Sequence, residues 1–346
     1  MKTRNSLVVP MALLFVANLS LQAQNKYDSK GLRQGLWSKT DAQGKKVYQG
    51  TFKDGYEIGT FEYYFADGKT LKAKNEFSDK GHFACTTDFD TLGNVISKGF
   101  YIDKKKDSLW TFYNTKGIKI GEEHYIKGKK NGICNYFDKD NVLAESVTYK
   151  ADKKDGVYFK NLYQRGYFYL TYKQDKKEGI YEEYYYYGKI REKGNFASDG
   201  REGKWLTFDS AGHTVKIQTW EKDKLTKEEV FLQLTNGQKY IETKDIAYFY
   251  PVAKRMDVIL FSGEVISTLN NIDAFLDVVG LDDFIQLNKQ ANFFASLQAI
   301  KGIGDRVGEE YSIQLKPALK QKLLTDKDSR KALELMFKPQ EELKKK

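Results

Sequence analysis

Gly179-Ile180-Tyr181-Glu182-Glu183-Tyr184-Tyr185-Tyr186-Tyr187-Gly188-Lys189 decides how this chain reads: a glycine, a ring two residues on, another ring at plus five and a turn glycine at plus nine. The run Tyr181 to Tyr187 favours a pleated, partly buried surface, and Gly188 supplies the positive φ that a tight connection needs. The segment reads as one β-hairpin. Outward from it, the same start recurs at Gly35-Leu36-Trp37, Gly59-Thr60-Phe61, Ser108-Leu109-Trp110, Gly132-Ile133-Cys134, Gly156-Val157-Tyr158 and Gly203-Lys204-Trp205. From Gly35 to Gly203 the intervals are 24, 49, 24, 24, 23 and 24 residues, and Gly81-His82-Phe83 fills the double one, giving eight units. Gly44, Gly68, Gly117, Asn141 and Gly212 stand nine residues after their own anchors, with Gly93 and Gly166 as near-misses.

A lone hairpin cannot bury its rings, so repeats of this length must stack into a shared sheet. The expected fold is mainly β: an elongated β-hairpin repeat array followed by a small, mostly-β domain with one or two short helices. The rings at plus two and those at plus five (Tyr64, Tyr113, Phe137, Tyr184, Phe208) have opposite parity. Either both faces of the sheet carry rings or a bulge intervenes.

Tyr63-Tyr64, Phe112-Tyr113, Tyr136-Phe137 and Tyr184-Tyr185 add an aromatic pair at a fixed place in the unit. With the Gly-x-aromatic start and the turn glycine, residues 31–227 resemble the variant MORN repeats of bacterial proteins. That resemblance implies a binding scaffold rather than a catalyst.

Lys2 and Arg4, the apolar run Leu7 to Leu19 and then Ser20 to Gln24 have the layout of a secretory signal. Residues 1–23 are expected to be removed after Ala23, placing the mature protein in the periplasm or at the cell surface, with no transmembrane segment. Cys85 and Cys134 lie two units apart, too far to bridge, and are expected to be buried and reduced.

After Glu221-Lys222-Asp223-Lys224-Leu225-Thr226-Lys227-Glu228-Glu229 the period stops and a second module begins near residue 230. Short strands are expected at Lys239–Ile241, Ile246–Tyr250, Asp257–Phe261 and Ser312–Leu315, an amphipathic turn or helix at Asn271–Val279 and a closing helix at Asp328–Phe337, before a charged tail at 338–346. Asp245-Ile246-Ala247-Tyr248-Phe249, the Ser262-Gly263-Glu264 hairpin, Leu269 to Ile272, Phe284 to Gln290, Leu297 to Ile303, Ile313 to Pro317 and Ser329-Arg330-Lys331 resemble, in order, the signatures of LytTR domains across residues 230–337. The resemblance implies a mostly-β DNA-binding module, and by motif it makes Lys254, Arg255, Asn288, Lys289 and Arg330 the candidate contacts. Lys289 stands where an arginine is usual, giving a point charge in place of a two-pronged guanine reader.

Charge argues against carrying the activity over. From Val230 onward there are 17 Lys and Arg against 16 Asp and Glu, leaving 40 against 31 upstream, so the net +10 resides mainly in the leader and repeats. Duplex binding draws on a basic face that displaces counterions, and an exported protein does not meet chromosomal DNA. The lysine runs Lys104 to Lys106, Lys129-Lys130, Lys153-Lys154 and Lys176-Lys177 fall at unit junctions and read as solvated turn charges.

No catalytic, metal or cofactor pattern emerges. His82, His124 and His213 fall in separate units without ligand-spaced partners, Asp88 and Asp90 share a strand parity, and Gly302 to Gly308 lacks the context of a dinucleotide loop and reads as a hairpin connection. The sequence therefore points to an exported, non-enzymatic binding protein whose partner is a protein or an envelope polymer. The alternatives are a LytTR-type DNA-binding regulator, and a binder of envelope glycans or polyanions through Tyr- and Lys-rich repeats.

Overall fold

The computed structural model describes residues 25–280, 283–289, 292–307, 310–318 and 323–325. The expected signal segment 1–23, the expected tail 338–346, the expected helix Asp328–Phe337 and the candidate Arg330 lie outside the described residues. The chain is mainly β, and it divides into two compact units, residues 1–142 and 143–346.

In the first unit Arg33–Thr40, Lys46–Lys53, Tyr56–Tyr64, Leu71–Ser78, Phe83–Phe89, Val95–Ile102, Lys105–Tyr113, Lys119–Ile126 and Gly132–Phe137 form an antiparallel ladder in which each strand pairs with the next. The short strand Lys26–Tyr27 pairs with Arg33–Thr40, and Tyr27 meets Trp37 edge-on at 4.9 Å. The hairpin turns share one device. Asp41, Asp90, Asn114 and Asp138 each accept backbone N–H bonds from the residues two and four further on, at 2.8–3.0 Å. These side chains stand in for the missing ladder partners of the loop.

The anchors are bulges between hairpins. Gln49 pairs with Glu62 and Thr51 with Ile58, so Gly50 faces three residues, Gly59 to Phe61. Gly99 likewise faces Ser108 to Trp110. A bulge of the glycine type places a residue at positive φ, and Gly59 (φ 63°) and Ser108 (φ 57°) take that conformation. The bulge drives the ring at plus two across the strand beneath it. A Cβ on Gly50 would lie 2.3 Å from Phe61, and one on Gly99 only 2.2 Å from Trp110.

The third unit is where the expected anchor fails. Gly81 closes a short 3-10 turn, Asp79–Gly81, and the strands on either side pair without a bulge. Register across the sheet runs Phe61 to Asn75 to Thr86 to Gly99. The row position of the third unit is therefore Thr86, not Phe83, and its anchor equivalent is Ala84.

The parity question resolves both ways. Phe61 and Tyr63 share one face at 6.4 Å. Tyr64 turns to the other, where its hydroxyl donates to Glu62 at 2.7 Å and Lys46 lies 5.0 Å over its ring. Rings line both faces, and bulges set where each falls.

The second unit repeats the ladder through Leu143–Lys150, Lys153–Asn161, Tyr167–Lys173, Lys176–Tyr184, Ile190–Ala197, Gly200–Phe208, Thr214–Glu221, Lys224–Leu234 and Gly237–Glu242. Its ring row reads Val147, Tyr158, Leu170, Tyr181 and Gly194, each paired with the next, and Gly194 lies beneath Trp205 as Gly99 lies beneath Trp110. Strand Lys224–Leu234 leaves the ladder pointing Val230 and Leu232 into a second kind of core, with Phe249, Met256, Phe275 and Phe294.

That core belongs to a five-stranded antiparallel sheet in the order Val265–Thr268, Arg255–Leu260, Ile246–Val252, Phe293–Ser296, Phe284–Asn288. The helix Ile272–Val279, capped by the Asn271 side chain accepting from the Asp273 and Ala274 amides, buries Phe275 and Val279 against it. A three-stranded sheet, Ile300–Val307, Glu310–Leu315 and Leu323–Thr325, follows. The glycine-rich stretch Gly302 to Val307, expected as a connection, is an irregular strand whose pairing shifts register twice. Cys134 is buried as expected, but Cys85 is exposed: it points to the face opposite buried Ala84 and Thr86. Both thiols are free.

Candidate ligand-binding face

Four residues before the ring of four hairpins, two before the anchor, stands a basic side chain that lies over that ring. Arg33 sits 5.1 Å from the Trp37 ring, Lys106 4.1 Å from Trp110, Lys154 5.3 Å from Tyr158 and Arg201 4.0 Å from Trp205. In the lysine runs, the first residue is solvated as expected. The last is drawn over aromatic surface, and burial pulls the Lys106 ammonium below its ordinary pKa, against the attraction of Glu123 and Asp88. Solvation alone does not describe these lysines. The signal was present in the sequence as Lys/Arg-x-Gly/Ser-x-ring, with a glycine eleven residues before Phe61, Trp110 and Trp205.

Where a row position lacks its ring, polar groups fill the space. Cys134 replaces a ring, and the buried Glu123 accepts from Lys130 Nζ at 2.5 Å and from the Tyr125 and Tyr136 hydroxyls at 2.6 and 2.8 Å. Burial alone would raise the Glu123 pKa, but these three donors outweigh it and hold the carboxyl below its usual range. This cluster is closed on itself.

Thr86 replaces a ring without such closure. Its hydroxyl donates to Asn75 Oδ1, and above the pair opens a cavity of about 450 Å³ lined by Tyr63, Phe77 and Tyr101, by the floor residues Asn75, Thr86 and Asp88, and by the rim residues Glu57, Lys72, His82 and Lys104. Lys104 pairs with Glu57 at 3.8 Å, His82 with Asp103 at 2.5 Å, and Ser97 donates to Asp88 at 2.6 Å. Burial, with help from Glu57, pushes the Tyr63 phenol up to about 12. Burial and then Asp88 raise Tyr101 as well. Both walls stay neutral hydrogen-bonding rings at physiological pH.

Asp88 and Asp90 share a strand parity but serve apart: Asp90 is a turn cap while Asp88 faces the cavity. Each histidine has a local partner: Asp103 for His82, the Ile133 carbonyl at 2.7 Å for His124, and Asp209 at 3.2 Å for His213. Among the described residues no group of three or more His, Cys, Asp or Glu is placed to hold a metal ion. No helix of the described residues is long and apolar enough to cross a membrane.

In the C-terminal sheet, Lys254 lies in the turn after Ile246–Val252 and Arg255 opens the next strand, while Asn288 ends Phe284–Asn288 and Lys289 follows it. Because Phe293–Ser296 runs antiparallel to Ile246–Val252, with Tyr250 stacked on Phe293 at 5.1 Å, both connections emerge at the same end of the sheet. The four described candidates are thus brought to one end.

The fold and faces define a hairpin-ladder β protein with a small appended β module. No family model and no curated protein matches the sequence. Among solved structures, the chain is similar to a LytTr DNA-binding domain from a Bacillus cereus response regulator, at 14% identity and a TM-score of 0.27, over 32% of this chain and 97% of that one.

Proposed function

We propose that this chain is an exported, non-enzymatic binding protein. In this reading the MORN-like hairpins present a ring-lined face to a partner, and the LytTR-like module serves protein interaction. The observation that carries the proposal is the cavity over Asn75 and Thr86, where rings, carboxylates and ammonium groups converge on a recess within an otherwise filled row. Concave sites with apolar walls and a few placed polar groups are where ligands bind. The separation of the three histidines in different hairpins, each engaged locally, supports binding over acid-base chemistry. Export rests on the charged, apolar and small-residue order of residues 2 to 24. Fractionation of native cells with amino-terminal sequencing tests it: the protein is expected outside the cytoplasm, beginning near Gln24. A cytoplasmic protein with Met1 intact would overturn export.

One observation favours a second reading, a DNA-binding regulator: Lys254, Arg255, Asn288 and Lys289 gather at one end of the C-terminal sheet. A gel shift of duplex DNA by the full chain at moderate salt, abolished by Arg255→Ala with Lys289→Ala, would establish it.

A further inference from the structure

The third hairpin keeps the jaws of a ring site and lacks the ring. In the filled units a row ring is met edge-on by a ring nine residues before it or by one 14–16 residues after it, and Phe61 has both. Phe61 lies between Phe52 at 5.2 Å and Phe77 at 5.2 Å, with interplanar angles of 86° and 82°. Tyr101 meets Trp110 at 5.0 Å and 77°, and Phe196 meets Trp205 at 5.0 Å and 79°. Trp37 meets Phe52, Tyr158 meets Tyr172 and Tyr181 meets Phe196 in the same way from the other side. For Thr86 the corresponding jaws are Phe77 and Tyr101, and both line the cavity. The basic residue four before the ring corresponds here to His82, also on the rim.

We infer that this recess takes an aromatic amino-acid side chain of tryptophan or tyrosine type from a protein partner, its ring edge-on to Phe77 and Tyr101 above Asn75 and Thr86. Edge-to-face contact is the favoured aromatic geometry. The floor suits a ring with a polar edge, since an indole N–H or phenol O–H reaches Asp88 or the Asn75 amide. The recess exceeds the ring it replaces. Its remaining width is bordered by Lys72 at one side and by the Glu57–Lys104 pair at the other, groups of both signs that suit the backbone amides flanking such a side chain. This inference rests on the binding-scaffold reading and supplies its partner chemistry.

The test titrates the mature full-length protein with N-acetyl-tryptophanamide, N-acetyl-tyrosinamide, N-acetyl-leucinamide and indole, by calorimetry and ligand-observed NMR. The aromatic amides are expected to bind saturably with Kd on the order of 0.1–1 mM, reasonable for ligands of this size. The leucine amide is expected to bind at least tenfold more weakly and indole several-fold more weakly. Asn75→Gly with Thr86→Trp places an indole within the recess, over a floor cleared of the Asn75 side chain, and is expected to abolish binding. Thr86→Phe is a second plug should the double variant lose its native circular dichroism, and it should weaken binding at least tenfold. No saturable binding, equal binding by the leucine amide, indole binding as tight as the amides, or unchanged binding by a folded plug variant would each overturn the inference. Fractionation does not involve the recess, so failure here and failure of the export reading are separately visible.

Discussion

Gly194 is the plainest case of a residue whose identity is set by a neighbour. A Cβ there would lie 2.2 Å from the Trp205 ring, whose indole N–H donates to the Asn195 carbonyl at 3.1 Å. Gly194→Ala must therefore displace a buried tryptophan and is expected to cost about 1–3 kcal/mol, the usual penalty of overpacking. A denaturant melt reads it, and unchanged stability would show that the ring is not held where we place it. Tyrosines carry a second prediction. Burial first, then nearby carboxylates or phenols, pushes Tyr63, Tyr64 and Tyr136 up to about 12, and for Tyr184 the hydrogen bond to Glu182 leads to the same value. The folded state keeps protons that the unfolded chain releases around pH 10, so the stability these groups lend is whole below pH 10 and is lost as pH rises towards 12. Phenolate absorbance and circular dichroism should therefore change together in that window. Independent titration at pH 10 with the fold intact would contradict this. The anchors were legible at this scale because glycine and aromatic residues repeat. Gly194 is marked only by its spacing, eleven residues before Trp205, because a glycine demanded by a close approach carries no turn signature in its neighbours.

At the scale of the element, the hairpin device and its departure in the third unit differ in how visible they were. The turns Gly44, Gly117, Asn141 and Gly212 all have positive φ, as their spacing required. The third unit misled because Gly81 also has positive φ, 77°, but uses it in a 3-10 turn rather than a bulge. Sequence cannot distinguish those uses; only the strand register does. The helix Ile272–Val279 was legible from Asn271 and its apolar spacing. Asn271→Ala removes acceptors for the Asp273 and Ala274 amides and should cost about 1 kcal/mol. Asn271→Asp retains the cap and should restore most of that loss in the same melt. A helix stability indifferent to both changes would mean that packing of Phe275 and Val279 alone holds it.

Across the whole molecule, mainly-β architecture followed from periodicity, whereas the site did not. Periodicity reveals what recurs, and the recess over Thr86 arises from a row position where a polar pair, Asn75 and Thr86, interrupts the recurrence. The last lysine of each run escapes a sequence reading for a related reason: its place beside a ring depends on strand register. An unfilled ring position forgoes apolar burial, and such sacrifices of stability are characteristic of functional sites. Completing the row should therefore stabilise the fold. Burying the new ring contributes about 1.5–3 kcal/mol, and the strand glycine returns about 0.5–1 kcal/mol of that. The direct test is the unfolding free energy of Asn75→Gly with Thr86→Trp against the native protein. The account predicts a gain of about 1 kcal/mol; a loss of that size would show that no ring site waits in the third hairpin.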